Sequence, residues 1–166
     1  MSRDEILRRR IRCLTWLMIV GLIFSGLTAI PLEWELGLLA RWFGIPDDPA
    51  PATSGFAQWI ARVRAALQDT DAKYPFIAYG FDWLAFGHVV IAIAFGGALR
   101  DPVRNAWLFQ LGMIACVLVI PWALVFGQVR GIPLGWRVID CLFGIVGFVP
   151  MWLCARWTGE LGKLKS

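Results

Sequence analysis

Residues 105–126 read NAWLFQLGMIACVLVIPWALVF, a run without a single charged side chain. At a rise of about 1.5 Å per residue, a helix of this length crosses a hydrocarbon layer about 30 Å thick. Three other stretches of similar length are mostly apolar and hold only one or two charged residues each, and they are residues 12–30, 76–99 and 136–153. The sequence therefore predicts an all-α membrane protein, a four-transmembrane-helix bundle.

The composition supports this class. The 166 residues are 58% hydrophobic and only 17% charged, with a mean hydropathy of +0.64, whereas soluble domains carry about 25% charged residues. Most of the ten tryptophans fall near the ends of the predicted spans, as in the aromatic belts of membrane proteins. The length fits a single membrane domain over residues 1–166.

The basic residues are distributed by membrane side, which argues against a nucleic-acid-binding patch as the source of the net charge of +4. The two tails and the loop between spans 2 and 3 hold ten basic residues against four acidic ones, while the other two connections hold six of each. The positive-inside rule then places both termini in the cytoplasm. We expect a multi-pass protein of the cell inner (plasma) membrane, surrounded by the lipid bilayer and without a nucleic acid partner.

The first span resembles a signal peptide in its Arg-rich start, but its apolar run is long and ends at Thr28-Ala29-Ile30-Pro31 without a small-residue cleavage pattern. We interpret it as an uncleaved anchor. The four cysteines lie within or at the edges of spans and form no C-x-x-C pair, which favours small packing residues over a disulfide framework. They are Cys13, Cys116, Cys141 and Cys154.

The exterior segment 31–75 contains two amphipathic patterns. Leu32–Phe43 predicts a short helix in the membrane surface plane, ended by Gly44 and Pro46. After a loop over residues 47–55, Ser54 is a candidate cap for a second helix, about Phe56–Gln68. Together they are expected to form either a lid resting on the bundle or a cover over a lateral or exterior pocket.

Two short connections join the remaining spans. Asp101-Pro102 predicts a helix start, with Asp at the cap and Pro at the first helical position. Gly131 and Pro133 mark the other turn. Two prolines, Pro121 and Pro150, lie inside spans and are expected to bend them.

Ionisable groups inside the predicted spans are few, and they are the candidate ligand-binding residues. In the second span a seam of small residues, which includes Ala85 and Ala92, marks close helix contact. Asp82 and His88 stand about 60° to either side of it and are expected to face neighbouring helices. The full candidate set is Asp82, His88, Arg137 and Asp140, with Tyr79 and Gln110 beside them.

Two interpretations of this cluster stay open. It is either a buried ion-pair and hydrogen-bond network that fixes helix register, or a polar floor for a proton path, a small ligand or a lipid or quinone headgroup. Under either, Arg137 is expected within salt-bridge distance of Asp82 or Asp140. One histidine without a nearby ligand partner is a poor haem or zinc site, so we predict no cofactor and no metal and expect His88 to hydrogen-bond across helices.

The segments Tyr74–His88 (YPFIAYGFDWLAFGH) and Arg100–Asn105 (RDPVRN) resemble small uncharacterised multi-pass proteins of bacterial inner membranes. The resemblance covers most of the chain and implies no activity. Thiol-oxidising four-helix families are similar in size, but this chain lacks their paired loop cysteines.

No catalytic motif is present: neither G-x-S-x-G, nor a P-loop, nor G-x-G-x-x-G, nor H-E-x-x-H. Three functional hypotheses follow. The first is a non-catalytic accessory or scaffold protein that binds other membrane proteins, lipids or a second copy of itself. The second is a transporter-like module that binds a small molecule, ion, lipid or quinone at the Asp/His/Arg cluster. The third is a membrane-bound redox or lipid-modifying enzyme.

Overall fold

The computed structural model describes residues 2–47 and 54–164, and over these residues all the regular secondary structure is helical. The elements are α1 (Arg3–Thr28), α2 (Leu32–Trp42), α3 (Gly55–Lys73), a 3-10 turn (Pro75–Ile77), α4 (Tyr79–Arg100), α5 (Ala106–Val129) and α6 (Leu134–Lys163). Four helices, α1, α4 with its preceding turn, α5 and α6, are long and apolar enough to cross a membrane. The predicted all-α class and the four long apolar helices are confirmed.

Two helices are much longer than the apolar stretches that predicted them. α1 begins at Arg3 rather than residue 12, and α6 continues to Lys163 rather than ending near residue 153. Both extensions are charged on their outer faces and contribute buried apolar side chains, Leu7 and Leu161, on their inner faces. A hydropathy average over consecutive residues combines the charged and the apolar face, so it did not identify these two extensions as helix.

The chain divides into two compact units, residues 1–20 with 92–166 and residues 21–91. In the first unit, α5 and α6 form an antiparallel hairpin that depends on small residues. Cys116 O and Val119 of α5 lie directly against Gly144, and Met151 of α6 lies against Gly112. Small residues on facing sides of α5 and α6 thus let the two helices approach closely.

The same unit holds the start of α1 and the end of α6 together. Ile11, Thr15, Cys154 and Thr158 are all at most 2% exposed. The Thr15 hydroxyl donates to Ile11 O at 2.8 Å, and the Cys154 thiol stands 4.0 Å from the same carbonyl oxygen. The free cysteines are thus packing residues, as predicted, although Cys13 is exposed.

In the second unit, α2 and α3 pack as a hairpin around buried Ala40, Ile45, Ile60 and Ala61. Two contacts join the helices near the segment that connects them: Arg64 Nη1 to Asp47 Oδ1 at 2.7 Å, and an edge-to-face contact of Phe43 with Phe56 at 5.6 Å between ring centroids. α3 runs to Lys73, five residues beyond the predicted end at Gln68. Most of the predicted loop 47–55 lies outside the described residues.

Helix ends follow local chemistry. Ser54 Oγ accepts from Ala57 N at 3.3 Å, as predicted for a cap. Gly44 and Gly131 have φ of +62° and +68° and end α2 and α5. At each, two backbone bonds of the Schellman pattern form, for example Ile45 N to Ala40 O at 2.8 Å and Gly44 N to Arg41 O at 3.2 Å.

The prediction that Asp101 caps α5 was wrong. Its Oδ1 does accept from Val103 N and Arg104 N, both at 3.1 Å. These bonds close a turn, and the helix starts only at Ala106, with Asn105 at the cap position. Asn105 Nδ2 donates to Gly97 O at 3.1 Å, so this side-chain amide links the turn between α4 and α5 to the last turns of α4.

Candidate functional site

Arg137, in the first turn of α6, lies across the last turns of α5. A Cβ built on Gly127 would stand 2.5 Å from both Cγ and Cδ of Arg137, so the arginine stem occupies the space that the glycine leaves open. Its Nη1 donates to Leu124 O at 3.4 Å, while its buried Nε finds no hydrogen-bond partner among the residues that the structure describes. The positive charge therefore sits at the carboxyl end of α5, where a helix favours cations.

Asp140, one turn further along α6, is half-buried. Within the described residues Arg137 and Asp140 form no ion pair, so Asp140 is not the carboxylate that the prediction requires beside Arg137. The reason is the direction of the arginine stem, which leans over Gly127 toward α5. The pairing of Arg137 with Asp82, which belongs to the other unit, stays a prediction.

His88 faces a helix neighbour, as its position beside the small-residue seam predicted. A Cβ on Gly26 of α1 would lie 2.7 Å from His88 Cβ and 3.1 Å from Ala85 O, so α1 and α4 approach closely here. However, His88 Nδ1 bonds Leu84 O of its own helix at 2.8 Å. The expected hydrogen bond across helices is replaced by a local one at that nitrogen.

Asp82 is exposed, which corrects the expectation that it would face a neighbouring helix. It shares its side of α4 with a chain of exposed aromatic rings. Tyr79, Trp83 and Phe86 are 59%, 56% and 56% exposed. Consecutive rings meet edge to face, at 5.9 and 5.5 Å between centroids. We call the surface of Tyr79, Asp82, Trp83 and Phe86 the α4 face.

The remaining candidate, Gln110, is exposed near the start of α5. Over residues 2–47 and 54–164, no group of three or more His, Cys, Asp or Glu side chains is arranged to hold a metal ion. Within each unit, then, the structure does not gather the candidate residues into one polar site.

Sequence reasoning missed a groove between the start of α1 and the end of α6, in the first unit. Its volume is ≈ 440 Å³, and it is lined by Ile6, Arg9, Arg10, Cys13, Leu14 and Trp157. The signal was present: five of these residues follow the three- and four-residue spacing of one helix face. The arginines were interpreted only as markers of membrane side.

Comparison of the chain with models of known protein families, with curated proteins and with solved structures finds no match in any of the three.

Proposed function

We propose that this protein is a non-catalytic, multi-pass membrane protein that acts as an accessory or scaffold subunit and docks a partner membrane protein on its α4 face. The observation that carries the proposal is the exposure of the Asp82 carboxylate on a helix long and apolar enough to span a membrane. Ionisable side chains in such helices almost always face protein or water.

The surroundings of Asp82 favour a protein partner over lipid alone. The rings of Tyr79, Trp83 and Phe86 flank the carboxylate on one side of the helix. Aromatic residues are enriched at the centres of protein interfaces, and a buried carboxylate requires a donor. The partner that fits is a transmembrane helix with an Arg, Lys or amide donor at the depth of Asp82.

The two alternatives have less support. A small-molecule, ion, lipid or quinone site at the predicted cluster needs Arg137 beside a carboxylate, and within the first unit Arg137 bonds a helix carbonyl instead. A redox or lipid-modifying enzyme has neither a catalytic motif nor a gathered set of reactive side chains in the described part of the chain to support it.

The proposal includes the inner membrane as location and both termini in the cytoplasm. The excess of basic residues in the tails and in the Arg100–Asn105 turn supports that orientation. Reporter fusions at each terminus and an insertion after Asp47 test it. A cytoplasmic signal from the Asp47 insertion contradicts the orientation.

A photo-activated cross-linking residue at Trp83 tests the docking surface in native membranes. Leu84 is the matched control, because it is 51% exposed on the same helix but points about 100° away. We expect a discrete protein adduct from position 83, absent from position 84 and lost when Asp82→Leu is added. Mass spectrometry should identify one membrane protein with a donor side chain in the adducted helix. The proposal is contradicted if position 83 labels lipid alone, or if the amount of protein adduct is unchanged by Asp82→Leu.

A further inference from the structure

The groove between α1 and α6 combines two kinds of surface. Ile6, Leu14 and Trp157 give it apolar walls, while Arg9 and Arg10 bring two positive charges to its lining. Because the apolar window of the first span begins near residue 12, the arginines stand where the chain enters the hydrocarbon and Leu14 stands inside it. Along the membrane normal, the positive charges of the groove therefore lie at the boundary of the hydrocarbon, and the Leu14 part of its apolar wall lies within it.

The charge of these two arginines is not neutralised by the described part of the chain. Their neighbours do find carboxylates: Arg3 Nη2 lies 3.1 Å from Glu160 Oε2, and Arg8 Nε lies 2.8 Å from Asp4 Oδ2. Among residues 2–47 and 54–164, Arg9 and Arg10 form no ion pair. The Arg10 guanidinium instead stands 5.6 Å from the centroid of the Trp157 ring, a cation–π contact that positions the group and keeps its charge.

The walls of the groove are fixed in place. Behind Arg10 and Cys13, the side chains of Ile11 and Thr15 are 1% and 0% exposed, and across from them Cys154 is 0% exposed. A preformed groove binds with less loss of conformational entropy than a mobile surface. Its occupant must offer a negative group and an apolar group joined together.

We infer that this groove binds one anionic phospholipid, with its phosphate between Arg9 and Arg10 and an acyl chain along Cys13, Leu14 and Trp157. A soluble phosphate ion matches only the arginines and leaves the apolar wall bare. A zwitterionic lipid matches the apolar wall, but the cationic group of its own headgroup neutralises its phosphate, so its net attraction to the two arginines is smaller. The inference rests on the membrane placement in the proposed function, but it involves neither α4 nor a protein partner, so lipid binding at the groove and docking on the α4 face can fail separately.

Native mass spectrometry of the full chain, with phosphatidylglycerol or phosphatidylcholine added in detergent, tests the inference. One arginine near an anionic lipid surface contributes about fivefold in affinity. We therefore expect Arg9→Gln or Arg10→Gln to weaken phosphatidylglycerol binding about fivefold and the double substitution about 25-fold. Arg12→Gln is the charge-matched control: it is exposed, forms no ion pair among the described residues and lies about 130° around α1 from the groove. We expect it to change binding less than twofold.

Cys13 gives a second readout that does not depend on any substitution. It is exposed in the groove, whereas Cys154 is buried and Cys116 and Cys141 are half-buried. Phosphatidylglycerol should slow alkylation of Cys13, mapped by peptide mass, and phosphatidylcholine should not. The inference is overturned by equal binding of the two lipids, by equal losses in Arg12→Gln and Arg10→Gln, by competition from glycerol phosphate alone, or by unchanged alkylation of Cys13 at saturating phosphatidylglycerol.

Discussion

The methylene stem of Arg137 fills the volume that a side chain at Gly127 would need. A Cβ built on Gly127 would lie 2.5 Å from both Cγ and Cδ of the arginine. The helix end of α5 and the helix start of α6 are thereby joined by a glycine and an arginine, with no carboxylate involved. Arg137 thus packs on α5 and, among the described residues, forms no ion pair with Asp140, one of the two carboxylates that the sequence offered as its partner.

Gly127→Ala is expected to destabilise the protein by about 1–3 kcal/mol, because the arginine stem must leave its position. Resistance to unfolding by SDS or heat in detergent measures the change. Gly159→Ala is the matched control on α6: its added methyl meets nothing within 4 Å, so it should be neutral or stabilising by up to about 1 kcal/mol. Equal effects of the two substitutions would contradict the packing described for Gly127.

Arg137→Gln should cost only about 1 kcal/mol, since it removes one long hydrogen bond to Leu124 O. Loss of one partner from a buried ion pair costs about 3–5 kcal/mol instead. Asp140→Asn should therefore be close to neutral in the same assay. The Asp82→Asn, Arg137→Gln double variant tests the remaining predicted pair: a cost well below the sum of the single costs would show that these two residues are coupled.

Gly144→Ala should be more damaging than Gly147→Ala. At Gly144 the added methyl meets the backbone oxygen of Cys116 and a methyl of Val119, and neither can move without shifting α5. At Gly147 it meets only Cys116 Sγ, at 3.1 Å. We expect about 3 kcal/mol for the first and about 1 kcal/mol for the second. Cys116→Ala should rescue Gly147→Ala and leave Gly144→Ala unrescued; rescue of both would show that the helices are not held at this distance.

Gly44→Ala and Gly131→Ala should each cost roughly 1–2 kcal/mol, because both glycines have left-handed backbone angles that L side chains adopt at a penalty. Asn at either position should cost less, since Asn tolerates this region. Gly37→Ala, with open space around it and an ordinary helical backbone, is the control within α2. Thermal unfolding in detergent compares these five variants, and a loss of stability in Gly37→Ala equal to that in Gly44→Ala would contradict the explanation.

Features set by neighbouring residues were predictable. The four apolar helices, the Ser54 cap and the glycine that ends α2 each depend on a few residues in sequence, so periodicity and capping rules identify them. The helix start at Ala106 was missed because Asp101 uses its side chain for a turn that has the same sequence signal as a cap.

Side-chain partners could be predicted only in part, because they depend on which helix face meets which neighbour. The small-residue seam of α4 correctly placed Ala85 and Ala92 in buried positions. It could not separate the two flanks of the seam: the His88 side meets Gly26 of α1, whereas Asp82 is exposed. The partner of Arg137 depends on Gly127, ten positions earlier in another helix, and no local pattern near Arg137 encodes that register.

The length of α6 has a mechanical consequence. Its 30 residues span about 45 Å as one helix, roughly 15 Å more than a typical hydrocarbon layer is thick. The apolar stretch that the sequence predicts for this span, residues 136–153, accounts for only about 27 Å of that length, so the extra turns lie beyond the predicted hydrocarbon layer. Trp157 lies on these turns, and the Arg10 guanidinium of α1 stands 5.6 Å from the centroid of its ring. The contact between the two helix ends is therefore made by protein groups outside the apolar stretch, and it does not depend on how lipid packs around the spans.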